Sequence, residues 1–92
     1  MSLKKQRDEA MFERYISLLK LYGRKAARMN KGFFYKEVAE PFFVDPRYVG
    51  RLINHMLRDK QRMKAFEDDD DLKYVLSELE KIAVSRNERS YP

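Results

Sequence analysis

A chain of 92 residues, 43% hydrophobic and 38% charged, is long enough for one folded domain with a modest core, but not for a core plus a deep catalytic cleft. It has no cysteine, which excludes a disulfide framework or a zinc–thiolate site and is compatible with the cytoplasm. The net charge of +5 is uneven: residues 1–66 hold sixteen Lys/Arg against seven Asp/Glu, and residues 67–92 four against eight, a basic body with an acidic end that points to a polyanionic partner.

No apolar run approaches the roughly 20 residues of a membrane span. The basic N-terminus lacks the apolar run of a signal peptide, so no membrane partner is expected. From about Lys4 to Met29, residues Met11, Tyr15, Leu18, Leu19, Tyr22, Ala26 and Met29 recur at steps of three and four. That spacing predicts one face of an amphipathic helix. Arg7, Glu13, Arg14, Lys20, Arg24, Lys25 and Arg28 fall on the opposite face. Gly23 inside the pattern marks a bend or a close approach by another helix. Asn30-Lys31-Gly32 reads as a helix stop.

A second helix is predicted from about Phe33 to Glu40, with Phe34, Val38 and Phe42 as its apolar stripe. Pro41 removes a backbone donor and biases Glu40 away from helical angles, so this helix ends at about Ala39 or Glu40 or kinks there. A third helix starts at Asp45-Pro46, where Asp suits the N-cap and Pro the first helical position. Val49, Leu52, Ile53 and Met56 form its apolar stripe, which Met63 and Phe66 could extend. Lys60-Gln61-Arg62 interrupts the pattern, so the helix ends near there or continues with one exposed turn.

The acidic run Glu67–Asp71 precedes a fourth helix. One aspartate caps it and the others favour its positive end; calcium loops instead need spaced ligands and a turn glycine. Leu72, Val75, Leu76, Leu79, Ile82 and Ala83 give the cleanest stripe of the chain. It either closes the core of the monomer or serves a homodimer. Residues 86–92 carry no pattern and are expected to fray. The expected fold is all-α, a small bundle of about four helices forming a single domain over residues 4–85.

The run EVAEPFFVDPRYVGRLI, residues 37–53, resembles the helix-turn-helix of DNA-binding repressors with a tri-helical core, over roughly residues 33–58. Val38-Ala39 matches the apolar–alanine pair of the second helix. Val44 matches the apolar turn residue, Asp45 the cap, and Val49 and Leu52-Ile53 the buried face of the recognition helix. Ala39 has to be small for the helices to cross closely, and Val44 plugs the gap between them. The chain departs from the pattern at two positions. Phe43 stands where the family usually has a turn glycine, an unfavourable residue if the backbone there is left-handed. Pro41 sits late in the second helix.

The resemblance implies major-groove reading by Arg47, Arg51 and Asn54, with Tyr48 beside them, since arginine can grip guanine and asparagine adenine. It implies phosphate contacts by Tyr35 and Lys36, at the start of the second helix, and Arg58 joins them as an outward cation. Gly50 lets the helix approach another surface closely. His55, without clustered Cys, His or Asp partners, reads as a surface residue, so neither a metal nor a cofactor is expected. The six aromatics Phe33, Phe34, Tyr35, Phe42, Phe43 and Tyr48 read mainly as core, with one or two exposed. A single histidine, no glycine-rich phosphate loop and no obvious pair of carboxylates argue against an enzyme. The expectation is sequence-specific binding of double-stranded DNA, as a small transcription regulator or a mobile-element or phage accessory protein. The alternatives are a protein-interaction module and a DNA-packaging or recombination adaptor.

Overall fold

The computed structural model describes residues 3–79. Every element among them is helical. α1 spans Leu3–Tyr22, α2 Lys31–Ala39, α3 Pro46–Leu57 and α4 Lys60–Met63; a further helix, α5, covers residues 70–79. The number of main helices is the one the sequence predicts, with α4 added as a single turn. α2 packs chiefly on α3, and α1 lies against both. No helix is long and apolar enough to cross a membrane among the described residues.

The apolar stripes become one core. Met11, Tyr15 and Leu19 of α1, Phe34 and Val38 of α2, and Val49 and Ile53 of α3 are buried together. Leu72, Val75, Leu76 and Leu79 of α5 join the same cluster. This part of the last stripe therefore closes the monomer, and the reason it offered for a homodimer falls away. Ile82, Ala83 and the expected frayed end at 86–92 lie outside the described residues.

The helix boundaries have identifiable causes. α1 stops at Tyr22 because Gly23 takes φ +62, an angle that costs glycine nothing. A Cβ there would meet nothing within 4 Å, so Gly23 serves a bend and not a close approach. The chain continues as a 3-10 turn over Gly23–Arg28, which cuts the expected first helix short by two turns. Asn30 caps the start of α2 instead of ending α1, since its Oδ1 accepts from the Gly32 amide at 2.7 Å. Asn is among the best N-caps, and a reading of Asn30-Lys31-Gly32 as a stop missed that the same residues also start a helix.

Pro41 follows α2 inside a short 3-10 turn, Glu40–Phe42. In a continuing helix the carbonyl of Glu37 would accept from the amide of residue 41, which proline lacks. Arg14 of α1 supplies the missing donor, its Nε reaching that carbonyl at 3.1 Å. A cation there also suits the negative end of the helix.

Asp45 caps α3 through the Arg47 amide at 2.8 Å, with Pro46 in the first turn. α3 ends at Leu57, and Asp59 then caps α4 through the amides of Gln61 and Arg62. In the acidic run, Asp69 Oδ1 accepts from the Leu72 amide at 3.0 Å, and Asp71 pairs with Arg24 at 2.8 Å.

Phe43 adopts φ 56, ψ 42, the left-handed region that disfavours a side chain. It is also 96% exposed, so it contributes no packing in return. Phe43→Gly should therefore raise stability by about 0.5–1 kcal/mol, the relief of left-handed strain less the extra freedom of glycine in the unfolded chain. A shift of the urea midpoint to higher concentration at unchanged m-value is the measurement. A lower midpoint would mean that the ring packs on something.

Candidate nucleic-acid interface

The unit α2–turn–α3 positions the residues in question. Val49, Ile53 and Met56 face the core, which forces the opposite side of α3 outward. Positions 47, 51, 54 and 58 follow one another at steps of four, three and four, so they share one face. All four are exposed, as is His55. α3 holds twelve residues, a length of roughly 18 Å at 1.5 Å per residue. Its width of about 10–12 Å with side chains suits a major groove about 12 Å wide.

The cations of this face differ in their ties. Arg47 is held by Asp45, with Nη2–Oδ2 at 3.0 Å and Nε–Oδ1 at 3.3 Å. The Arg47 guanidinium and amide keep the Asp45 carboxyl below its ordinary value, so the pair stays charged. Such exposed pairs contribute little net energy, and Arg47 can exchange Asp45 for another acceptor at small cost. The side chains of Arg51, Asn54 and Arg58 form no hydrogen bond or ion pair among the described residues, although the Arg51 charge also helps to hold the Asp45 carboxyl down. Lys36, exposed on α2, is likewise unpaired there.

Two residues of the expected set have other work. Tyr48 is half-buried. Its hydroxyl donates to Asp8 Oδ1 at 2.8 Å and accepts from Arg7 Nη2 at 3.3 Å. The Arg7 guanidinium also lies 5.3 Å from the Tyr48 ring centre, a cation–π contact. Tyr48 thus fastens α3 to α1 and does not stand beside Arg47 and Arg51 as an outward reader. Tyr35, expected at phosphate, turns its ring inward. It sits 6.0 Å from the Tyr15 ring, and its ring carbons would lie 3.1–3.2 Å from a Cβ on Gly50. Burial raises the Tyr35 hydroxyl pKa above its ordinary value, so it stays a neutral group. The close approach allowed by Gly50 is therefore to Tyr35 of α2.

A second clamp was not legible as such. Arg62 of α4 grips Glu9 of α1 with two bonds of 2.7 Å and lies 5.3 Å from the Phe12 ring centre. The bidentate hydrogen bond holds the Glu9 carboxyl below its ordinary value. The clamp fixes α4, and with it the exposed Lys60, just beyond Arg58. Lys60 adds a cation near the outer face of α3, and only recognition of Asp59 as a helix cap would have pointed to it. Comparisons with protein-family models, with curated proteins and with solved structures return no match to this chain.

Proposed function

We propose that the chain binds double-stranded DNA sequence-specifically, with α2–turn–α3 acting as a helix-turn-helix and α3 lying in the major groove. The observation that carries this reading is the outer face of α3, where the side chains of Arg51, Asn54 and Arg58 stand exposed beside Arg47 with no hydrogen bond or ion pair among the described residues. The left-handed turn at Phe43 supports it, because it falls at the position where helix-turn-helix proteins usually carry glycine. Arg47, Arg51 and Asn54 take the base edges. Lys36 and Arg58 take phosphates, while Tyr48 and Tyr35 position α3 from behind. A small regulator or a mobile-element or phage accessory factor fits this role.

Losing a base contact and losing a phosphate contact have different signatures. Arg51→Ala should weaken binding to a selected site by about 1–3 kcal/mol and relax the preference at one base position. Lys36→Ala should weaken selected and random duplex alike and reduce the salt slope by roughly one unit. Equal binding by parent and both variants on both DNAs would remove α3 as a reading helix.

The competing reading is a protein-interaction module or adaptor. It is favoured by one observation, the 96% exposure of Phe43 in a strained conformation, since strain tends to persist where it serves a contact. Under that reading Phe43→Ser abolishes partner capture, and under the DNA reading it leaves the duplex affinity unchanged.

A further inference from the structure

Among the described residues, Arg47 is the one cation of the α3 outer face that a carboxylate holds. Asp45 bonds it twice over. Its Oδ1 accepts from the Arg47 amide at 2.8 Å, which caps α3. The same carboxylate takes one side of the guanidinium, Oδ1 from Nε at 3.3 Å and Oδ2 from Nη2 at 3.0 Å. A guanidinium carries five N–H donors in one plane. Two of them meet Asp45, so both donors of Nη1 and the second of Nη2 remain, along the edge that faces away from the carboxylate. The Arg47 side chain is 82% exposed, which leaves that edge open to a partner. The ion pair itself adds little to stability at such exposure. Serine caps a helix about as well as aspartate, so the cap alone does not account for a carboxylate whose second oxygen holds Arg47.

The open edge matches one base. In the major groove guanine presents two adjacent acceptors, N7 and O6, whereas adenine sets an amino donor beside its N7, cytosine offers a donor, and thymine pairs one acceptor with a methyl group. Two donors held end-on satisfy guanine and meet the adenine amino group donor to donor. A free arginine escapes that mismatch by turning to a phosphate. An arginine fixed at Nε and Nη2 gives up two bonds to do so. We infer that Asp45 is a positioning residue, which holds Arg47 so that its far edge reads guanine and discriminates against the other bases. The inference rests on the proposed DNA reading and adds to it the base that Arg47 takes and the group that fixes the choice. Arg51 has no carboxylate at hydrogen-bond distance among the described residues, so its contact is not fixed in this way.

The test uses the full chain and a duplex selected from a random pool, with every base tried in turn at each position. The base read by Arg47 is the one whose preference Arg47→Ala removes, and it should be guanine. Asp45→Ser keeps a capping side chain and removes the carboxylate, and unchanged helical circular dichroism with a urea midpoint close to the parent's checks its fold. It should lower the preference for guanine at that position about two- to tenfold, the scale of ordering one long side chain. Random duplex should bind at least as tightly as to the parent, because a negative charge near the phosphates is gone. Asp45→Asn, an equally good cap with a single acceptor oxygen, should fall between parent and Asp45→Ser. In an Arg47→Ala background Asp45→Ser should change no base preference, whereas a cap that acts only on the helix would alter binding in both backgrounds. The inference is overturned if Asp45→Ser keeps the full preference, if its effect persists without Arg47, or if the base is not guanine. A parent chain that enriches no sequence defeats the DNA reading itself, and this inference with it, before any variant is made.

Discussion

Phe34→Ala should destabilise the protein by about 3–5 kcal/mol, the range for deleting a fully buried phenyl ring. The ring of Phe34 is completely buried. It meets three others edge-on, Tyr15 at 6.3 Å, Tyr22 at 5.7 Å and Phe33 at 5.4 Å between ring centres. Such tilted pairs add about 0.5–1.5 kcal/mol beyond the area they bury. Removing the ring leaves a void where α1 and α2 meet. Domains of ordinary stability have only about 5–15 kcal/mol in total, so this variant should be close to unfolding at 37 °C. Phe43→Ala is the control, since its ring is 96% exposed, and it should change stability by no more than about 0.5 kcal/mol. Denaturant unfolding followed by helical circular dichroism measures both. A loss below about 1 kcal/mol for Phe34→Ala would be incompatible with a core centred on this aromatic cluster.

Gly50→Val should cost about 3 kcal/mol, at the upper end of the range for overpacking. A Cβ at position 50 already meets two carbons of the Tyr35 ring at 3.1 and 3.2 Å, and valine adds two methyl groups to the same seam. The helix itself would gain a few tenths of a kcal/mol, because glycine is the poorer helix former. The clash outweighs that gain. The pair can be separated by a double-mutant cycle. In a Tyr35→Ala background the added cost of Gly50→Val should fall by more than half. Strict additivity would show that the tight contact lies elsewhere. The effect reaches the outer face of α3, because the Gly50–Tyr35 contact helps to set how α3 sits on α2 and hence where Arg51 and Asn54 point.

The core was legible because its periodicity is local. Steps of three and four identify the faces of α1, α3 and α5 without knowledge of what they meet, and Asp45-Pro46 announces the start of α3 by its own chemistry. The bonds that fix the helices against one another were not legible, because they join residues far apart in the chain. Arg14 reads as an outward charge until the carbonyl of Glu37, orphaned by Pro41, lies within reach. Tyr48 reads as an outward reader until Arg7 and Asp8 appear around its hydroxyl. The same limit applies to Tyr35, whose place against Gly50 follows from the crossing of α2 and α3. Asn30 and Asp59 were legible in principle, since each is a capping residue one position before a helix, and both were obscured by the polar residues around them. The outward face of α3 came through most fully, with Arg47, Arg51, Asn54 and Arg58 all exposed as the apolar stripe implies.

Selection of the full chain against a random duplex pool, repeated over a series of salt concentrations, tests the proposed reading role of α3 most directly. A reading α3 enriches a defined sequence, and the logarithm of the affinity falls linearly with the logarithm of salt, by about 0.9 per phosphate neutralised. Arg51→Ala should lose the enrichment at one base position while keeping most of that slope. Absence of binding at low salt, or an affinity that salt does not change, would contradict DNA as the partner of this face.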